Sequence, residues 1–580
     1  MADFLNVSAS LTGRRWVGPT PEQDRLAEAM AQITGLPLPL SRVLAGRGVA
    51  PEEAQGFLEP TLRDLLPDPL SLKDMQAAAA RFLKAVKDRQ RIAIFADYDV
   101  DGGSSAALLI CWLRAMDRQA TLYIPDRIDE GYGPNEAAMK MLARDHDLIV
   151  CVDCGTLSHG PVAAARGADV VILDHHLGGE TLPPALAVVN PNRQDEDGAL
   201  GHLCAAGVVF LMLVEANRQL RGDKQTGPAL LSFLDLVALA TVADVAPLVG
   251  VNRAFVRQGL AIMARRERPG LVALADVARM DEAPNSYHLG FLLGPRVNAG
   301  GRIGQADLGA RLLSTDDPAE AVRLATRLDE LNSERREIES RVREEALAQA
   351  ESRGLDAPLV WAAGDGWHPG VVGIVAARLK EAAHRPAVVI GFEGDAGKGS
   401  GRSVSGIDLG ASVQRLAAEG LIEKGGGHKM AAGLSLSRAQ LAPAMDRLAA
   451  LLARQGAAEL GPSDLRLAGL LMPGAATIDL IGLLDQAGPF GQGAPAPRFA
   501  FADVAIRSTR RIGDTHLRLS FGDSTGPALE AVAFGAMDGP LGPALLEHGG
   551  ARFHLAGRLE INRWNGRSKA QLRLEDAARA

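Results

Sequence analysis

Three aspartates stand at every second position directly after an apolar run, in the stretch RIAIFADYDVDGGSSAALL that begins at Arg91. They are Asp97, Asp99 and Asp101. Carboxylates held this close repel one another unless a cation or bound protons neutralise them. The type and spacing of these residues therefore predict a metal site at the end of a buried segment.

Further acids and imidazoles follow other apolar runs. Asp153 lies in LIVCVDCGT, Asp174, His175 and His176 lie in ADVVILDHH, and Asp244 closes DLVALATVAD. Many oxygen ligands with one or two imidazoles suit Mn²⁺ or Mg²⁺ better than Zn²⁺. Because these carboxylates are too many for one cation, we expect two, about 3.5–4 Å apart, which would activate water and stabilise an in-line displacement at phosphorus.

The segments that carry these residues are continuous apolar runs, which is typical of parallel strands covered on both faces. Helical patterns such as GPNEAAMKMLARD separate them, as in a doubly wound α/β sheet. A single aspartate after a strand is usually only a helix N-cap. Since ligands bind beyond the carboxyl ends of parallel strands, however, we expect all these groups to converge at one edge.

The rest of the chain divides by pattern. Five apolar residues at helical spacing, from Leu324 to Val342, predict one long connecting helix. Alternating segments such as THLRLSF predict a small β-barrel near the carboxyl terminus. The predicted organisation is an N-terminal lead-in packed on the first domain (1–80), a catalytic α/β domain (81–315), a connecting helix (316–354), a second α/β domain (355–460) and the barrel (461–580).

Composition sets outer limits on function. The 580 residues carry a formal net charge of −8, which argues against a generally basic surface but not against a local grip on phosphate. Four cysteines are too few for a disulfide framework, and Cys151 and Cys154 are interpreted as reduced residues around Asp153. The chain has neither a signal-peptide pattern nor a long apolar stretch, so we expect a cytoplasmic protein that does not bind membranes.

The motifs together resemble a known family. DYDVDGGSSAALL, VDCG, LDHH and ATVADVAPL, in this order, are similar to the DHH phosphoesterase superfamily, and GRSVSGIDL and GGGHKMAAG to its DHHA1 domain. With YIPDRIDEGYGPN, GPRVNAGGRIG, WHPGVVGIVAARL and GPFGQGAPAPRF, the whole order resembles the RecJ-type exonucleases. The resemblance runs from about Trp16 onwards. It implies a DHH domain, a DHHA1 domain that binds substrate, and an OB-like barrel that binds nucleic acid.

The resemblance also implies roles for the clustered residues. It makes Asp97 either an additional metal ligand or a catalytic group that supports the ligands without binding the metal itself. It turns His176 towards the scissile phosphate, and Asp174 would orient an imidazole by accepting its N–H. The implied metal ligands are Asp99, Asp101, Asp153, His175 and Asp244.

Two glycine-rich loops are predicted to hold the substrate. In KGSGRSVSG the glycines let backbone N–H groups approach phosphate, and arginine offers a bidentate fork. The resemblance places Ser400 and Arg402 on a DNA phosphate near the 5′ end, together with Arg302. Ser403, in the same loop, and His428, in GGGHKMAAG, complete the predicted substrate-binding set.

Two basic groups on the predicted barrel indicate a platform for single strands, although they could also be ordinary surface residues. The two groups are Arg507, Arg510 and Arg511, and Arg563, Trp564, Arg567 and Lys569.

The residues and the resemblance together predict an exonuclease specific for single-stranded DNA that uses two Mn²⁺ or Mg²⁺ ions in DNA repair and recombination; the 5′→3′ direction is implied by the resemblance alone. By resemblance, a helicase and a single-strand-binding protein are its expected partners. The alternative is a DHH-family phosphodiesterase acting on short oligonucleotides or cyclic dinucleotides, although the barrel and the long helix favour a polymer. A binding protein without activity is the third interpretation, and the intact set of acids and imidazoles argues against it.

Overall fold

The protein is described by a computed structural model that covers residues 3–126, 130–459, 464–523, 526–564 and 566–580. Two compact units divide the chain. One comprises Pro67–Ala246 and Gln258–Gly461, and the other comprises Met1–Leu66, Pro247–Arg257 and Pro462–Ala580. Among the described residues, every helix is too short or too polar to cross a membrane.

Helices and strands alternate along most of the chain. The α-helices are α1 Pro21–Thr34, α2 Leu38–Gly46, α3 Ala54–Leu58, α4 Leu62–Leu65, α5 Met75–Lys87, α6 Val100–Ala115, α7 Glu136–Asp145, α8 His159–Ala164, α9 Ala205–Gly222, α10 Leu234–Ala243, α11 Val251–Met263, α12 Pro269–Val277, α13 Gly294–Ile303, α14 Leu308–Ser314, α15 Pro318–Arg353, α16 Pro369–Ala383, α17 Leu409–Ala418, α18 Arg438–Ala453, α19 Ile478–Asp485 and α20 Leu541–Leu546. The strands are β1 Trp16–Val17, β2 Ile92–Ala96, β3 Ala120–Tyr123, β4 Leu148–Val152, β5 Asp169–Leu173, β6 Ala187–Val189, β7 Val360–Asp365, β8 Ala387–Glu393, β9 Ala396–Arg402, β10 Lys424–His428, β11 Ala431–Ser437, β12 Leu465–Arg466, β13 Gly469–Leu470, β14 Phe499–Ile512, β15 His516–Gly522, β16 Leu529–Ala533, β17 Arg552–Trp564 and β18 Arg567–Arg579.

The first sheet is parallel throughout, in the order β3-β2-β4-β5-β6. Alternate strand residues such as Phe95 and Ile149 pack with α7 and α8 on one face, while α5, α6 and α9 contact strands of the same sheet from the rest of the domain. The predicted doubly wound α/β sheet is therefore confirmed. Its strand order reverses between β2 and β4, which is where such sheets bind ligands.

The predicted connecting helix is α15, which runs unbroken from Pro318 to Arg353. The Asp317 side chain caps its first turn by accepting the N–H of Ala319 at 2.9 Å. Its first half packs against α12, α13 and α14, and its second half against α16 and β7. Because it contributes to both cores, α15 fixes the first α/β domain relative to the second.

The second α/β domain is built on a mixed sheet in the order β10-β11-β9-β8-β7. β7 and β8 are parallel, and the other neighbours are antiparallel. One face is covered by α17 and α18, whose Val413 and Leu448 pack on Ile390 and Leu434. On the other face α16 packs over β7, β8 and β9.

The carboxyl-terminal strands form the predicted OB-like barrel. The sheet runs β14-β15-β16-β18-β17, and β17 pairs with β14 to close it. β16 and β18 are parallel, and the other ring neighbours are antiparallel. A closed barrel of five strands with this mixed pairing is the OB architecture.

Residues 1–66 lie in the unit that contains this barrel. β1 pairs with β12, the Trp16 indole donates to Asp576 Oδ2 at 2.9 Å, and Met30 and Leu40 share a core with Phe499. The interpretation of residues 1–80 as one lead-in packed on the catalytic domain is therefore corrected: residues 1–66 belong to the unit that contains the barrel. The predicted boundary at residues 460 and 461 lies outside the described residues.

Candidate metal centre

The centre begins where α6 follows β2. Asp99 is the N-cap of α6, and its Oδ1 accepts the N–H groups of Asp101 at 2.9 Å and of Gly102 at 3.1 Å. A Cβ atom at Gly102 would lie 2.4 Å from the carbonyl oxygen of Asp97, so only glycine lets the helix start this close to the strand end. Asp99 is therefore a helix N-cap, and the short turn also brings Asp97, Asp99 and Asp101 together.

Asp101 is buried and held by the amino terminus of another helix. Its two carboxylate oxygens accept the N–H groups of Ala205 at 2.6 Å and of Ala206 at 2.8 Å, in the first turn of α9. Burial raises the pKa of Asp101, opposed by the charge of His175 and by these amides. The helix terminus thus holds the carboxylate in one orientation and favours its charged form.

Asp153 follows β4 in a left-handed backbone conformation, with φ of +60°. Aspartate tolerates this region better than most residues, and such conformations concentrate at functional sites. The side chain is buried, and within the described part of the chain its Oδ1 makes no hydrogen bond, although His175 Nε2 lies 3.2 Å away. A buried carboxylate oxygen without a hydrogen bond is what a divalent cation would satisfy, so the donor set fits a metal.

Asp244 lies at the carboxyl-terminal end of α10. A carboxylate is unfavourable there because the helix dipole is negative at that end. Burial, together with the charges of Asp101 and Asp99, raises the pKa of Asp244 to about 9. A neutralising cation would therefore stabilise the charged form of Asp244.

The ligand atoms form three overlapping groups, each within 4.8 Å. Asp153 belongs to two of them, and His175 also belongs to two. His175 Nε2 lies 3.7 Å from Asp101 Oδ2 and 3.8 Å from Asp244 Oδ2. His175 Nε2 also lies 3.2 Å from Asp153 Oδ1, so the group around Asp97 and the group around Asp244 are adjacent, which fits two neighbouring cations with Asp153 between them. The groups are Asp97, Asp99 and Asp153; Asp101, His175 and Asp244; and Asp153, His175 and His176.

His176 is oriented by Asp174, in the arrangement expected from the sequence. His176 Nδ1 lies 2.8 Å from Asp174 Oδ1, and Asp174 Oδ2 accepts from both the backbone and the hydroxyl of Thr156. Burial alone would lower the pKa of His176, but the hydrogen bond and charge of Asp174 raise it to about 9. The contact with Asp174 therefore favours the protonated form of His176 and leaves its Nε2 edge free of Asp174.

Several supporting residues were not predicted. Asn298 Oδ1 accepts the N–H of Val100 at 3.0 Å and so helps to hold the start of α6. The Tyr132 hydroxyl lies 3.1 Å from His176 Nε2, and Asn190 donates to the carbonyl of His176 at 2.8 Å. Asn298 and Tyr132 lie inside two motifs quoted for the family resemblance, which was the available signal. Residues 127–129 of the tyrosine motif lie outside the described residues.

The predicted phosphate-binding residues lie on β9 and β10. Arg402 Nη1 donates to Ser400 Oγ and to the carbonyl of Gly401, both at 2.9 Å. Burial, followed by the charges of Arg402 and His176, lowers the pKa of His428. Ser400, Arg402 and His428 thus lie on neighbouring strands, and His428 is close enough to His176 for its charge to affect the pKa of His428.

Two other predicted residues have structural partners. Arg302 Nη1 donates to the carbonyl of Gly370 at 3.0 Å, at the start of α16, and the side chain remains partly exposed. Ser403 is only 1% exposed, and its hydroxyl donates to the carbonyl of Ile407 at 2.9 Å. The prediction that Ser403 binds substrate is therefore corrected, because its hydroxyl is turned into the core.

The basic residues predicted on the barrel lie on two different hairpins, β14–β15 and β17–β18. Arg507 donates to the carbonyls of Asp523 and Gly526, and Arg511 donates to the carbonyl of Asp514. The side chain of Trp564 is not among those described. A single-strand platform on the barrel remains a prediction.

We expect the metal-free protein to lose stability as pH rises from about 5 to 9. The folded pKa of Asp244 is raised from 3.8 to about 9 and that of His176 from 6.5 to about 9, so the folded chain keeps protons that the unfolded chain loses. Their contributions to the free energy of unfolding therefore decline over this window. Thermal unfolding in a chelator measures the effect.

The Asp244→Asn variant is the matched test of this pH dependence, because it removes one titrating group and keeps its shape. We expect a flatter dependence of the melting temperature on pH for the variant. Identical pH profiles for the variant and the wild type would show that Asp244 is not the group responsible.

Comparison with known proteins adds independent findings. The chain matches three family models: "DHH family, N-terminal domain" over residues 91–241, "DHHA1 domain" over residues 356–454 and "RecJ OB domain" over residues 468–576.

Relatives match over almost the whole chain. The single-stranded-DNA-specific exonuclease RecJ of Dickeya dadantii is 39% identical over 560 residues, covering 93% of this chain and 96% of the relative. The protein of the same name from Escherichia coli is 36% identical over 575 residues, covering 96% and 98%. The crystal structure of Thermus thermophilus RecJ in complex with Mn²⁺ matches with a TM-score of 0.80 and 30% identity, covering 97% of this chain and 79% of that one.

Proposed function

Because the chain belongs to the RecJ family of single-stranded-DNA-specific exonucleases, we propose that it degrades DNA single strands from the 5′ end with two Mn²⁺ or Mg²⁺ ions at the candidate metal centre. It is a metal-dependent exodeoxyribonuclease, and DNA repair is the role of its family. The observation that carries the two-ion proposal is the position of Asp153, whose buried carboxylate belongs to two of the ligand groups.

The chain's own residues would perform the remaining tasks. Asp97, Asp99, Asp101, Asp153, His175 and Asp244 would hold the ions, which would supply an activated water and neutralise charge on the phosphate. Asp174 keeps the proton on His176 Nδ1, so that a protonated His176 can present its Nε2–H to an oxygen of the scissile phosphate. The new P–O bond forms to the water oxygen as the water loses a proton to solvent, and the bond to the 3′ oxygen of the first nucleotide breaks as that oxygen takes a proton from solvent.

Positioning of the strand is assigned to the second domain. Ser400 and Arg402 share one face of β9, and Arg402 is already oriented by its hydrogen bond to the serine hydroxyl. We propose that this pair holds the 5′ phosphate, with His428 and Arg302 beside it. A fixed distance between this pair and the ions would then determine which phosphate is cut.

The proposal extends to partners. An enzyme that needs single strands requires a source of them when the cellular DNA is duplex. We propose a helicase that separates the strands and a single-strand-binding protein that keeps them apart. Action on chromosomal DNA would place the protein in the cytoplasm.

Digestion of an end-labelled single strand tests the proposed activity. In Mn²⁺, a 5′ label should appear at once as mononucleotide, whereas a 3′ label should pass through progressively shorter strands. The reverse pattern would contradict the polarity. Faster hydrolysis of a dinucleotide than of the long strand would favour the phosphodiesterase alternative.

We expect Arg402→Ala to weaken binding of single-stranded DNA and to reduce its salt dependence. Loss of one phosphate contact should lower the slope of log K against log salt by about 0.7. The measurement is a salt titration of the affinity for a labelled strand, in Ca²⁺ or chelator so that no cleavage occurs.

Arg415→Ala is the matched control, because Arg415 is an exposed arginine on α17 that pairs with Glu419 at 2.7 Å. The control should leave the slope unchanged. An unchanged slope for Arg402→Ala as well would remove Arg402 from the phosphate grip.

A further inference from the structure

One face of the second sheet is covered by α16 as far as β9 and is open over β11 and β10. On β9, β11 and β10 the paired residues form three rows across the sheet, which the ladder register defines. In an antiparallel sheet, directly paired residues point to the same face. The rows are Arg402, Ala431 and His428; Ser400, Gly433 and Gly426; and Lys398, Ser435 and Lys424.

The glycines of the middle row are not explained by packing. Cβ atoms placed at Gly426 and Gly433 would meet no atom of the described residues within 4 Å, and neither residue has a positive φ. By contrast, Cβ atoms at Gly399 and Gly401, on the opposite face, would clash with Ile390 and Leu409. The fold therefore needs the glycines of the covered face but not those of the open one. Side chains missing from an otherwise unfilled surface leave room for a ligand to lie on the backbone.

This open face forms a cavity of about 500 Å³. Pro369 and Val372 of α16 form one wall, and Lys398, Lys424 and Ser435 lie at one end. Within the described residues, neither lysine has an ion pair or a side-chain hydrogen bond. Two unpaired ammonium groups and a hydroxyl above a glycine floor are suited to an anion attached to a flat group.

The cavity continues away from the metal centre. His428 is in the same row as Arg402, and it is close enough to His176 for the charge of His176 to lower its pKa. Lys398 is four residues from Arg402 along β9, which is about 14 Å in an extended strand. If Ser400 and Arg402 hold the 5′ phosphate, the cavity lies beyond the 5′ end of the substrate. A nucleotide already cut from the strand can enter it.

We propose that this cavity, from Ser400 to Lys424, is a subsite that binds the released nucleoside 5′-phosphate before it leaves the enzyme. The inference rests on the proposed 5′ polarity. The positive charge of the cavity fits the terminal phosphate of the product better than it fits an internal phosphate of a strand. A phosphate monoester carries −1.5 to −2 at neutral pH, whereas a phosphodiester carries a single charge. The two positive charges of Lys398 and Lys424 match the charge of a phosphate monoester.

Binding of dAMP to the full-length protein in chelator, measured by calorimetry, tests the proposal. The double variant Lys398→Ala/Lys424→Ala should bind dAMP at least about tenfold more weakly, because two charge-assisted contacts are lost. Deoxyadenosine, which lacks the phosphate, should bind the wild type at least about tenfold more weakly than dAMP. In digestion assays, added dAMP should inhibit the wild type more strongly than the double variant.

Gly433→Val tests the glycine floor separately. Valine favours strands and its Cβ meets no neighbour, so the melting temperature should hold or rise while dAMP binding falls. Ala396→Val, on the same face of β9 but outside the cavity lining, is the matched control and should bind dAMP normally.

Three results would overturn the proposal: unchanged dAMP affinity in the double variant, equal binding of deoxyadenosine and dAMP, or a loss of affinity for long single strands with no loss for dAMP. The last would make the cavity part of the polymer path. Asp153→Asn should keep its dAMP affinity in chelator, so failure of the metal centre and failure of this subsite are distinguishable.

Discussion

Replacing Asp153 with asparagine is expected to abolish DNA hydrolysis while stabilising the metal-free protein. Asparagine keeps the shape and tolerates the left-handed conformation at this position, so the backbone should not change. The charge shared by two ligand groups is lost, which should lower the rate by more than about 10³-fold. The rate of mononucleotide release in saturating Mn²⁺ measures the effect.

The gain in stability has a separate physical cause. Burial, followed by the charges of Asp101 and Asp99, raises the pKa of Asp153 well above its usual value. Removing this carboxylate should therefore raise the free energy of unfolding in chelator by about 1 kcal/mol or more.

Asp147→Asn is the matched control for both effects. Asp147 immediately precedes β4, at the opposite end of the strand from Asp153, and accepts the N–H of Arg91 at 2.8 Å. This variant should keep full activity. Near wild-type turnover by Asp153→Asn would show that the centre has been assigned to the wrong residues.

Blunt duplex DNA is expected to be hydrolysed at least about 100-fold more slowly than the same strand alone. The metal centre and the phosphate grip lie in one compact unit, linked by α15, and His176 is close enough to His428 to lower its pKa. We expect the gap between them to admit one backbone only. A paired end must first separate, and unpairing costs a few kcal/mol.

Duplexes with single-stranded tails provide the control. A 5′ tail should restore the rate on its own strand, whereas a 3′ tail of equal length should not. The measurement is the initial rate of 5′-label release by the purified protein without a helicase. Equal rates on blunt duplex and single strand would refute a gap that admits only one strand.

The position of the metal centre could be predicted because it follows from local patterns. Asp97, Asp153 and Asp174 each come directly after a buried apolar run, and parallel strands place their carboxyl ends at one edge. The amides of Ala205 and Ala206 on Asp101 could not be predicted in this way. They come from a helix more than a hundred residues away, whose direction no local pattern specifies.

The structure differs from the sequence predictions in two further places, and each difference has a specific cause. Ser400 and Arg402 lie two residues apart and so share one face of β9, whereas Ser403 follows the strand and turns its hydroxyl to Ile407. The amino-terminal helices have ordinary amphipathic patterns, which predict that they pack but not against which core. A buried hydrogen bond from Trp16 to Asp576, close to the other end of the chain, ties the amino-terminal segment to the carboxyl-terminal barrel.

Counting bound Mn²⁺ by equilibrium dialysis tests the central claim most directly, because the claim is that one cluster of acids and imidazoles holds two ions. We predict two ions per wild-type chain, a single tightly bound ion for Asp244→Asn, and neither ion bound tightly by Asp153→Asn. One ion per wild-type chain, or undiminished binding of two ions by Asp153→Asn, would contradict the account.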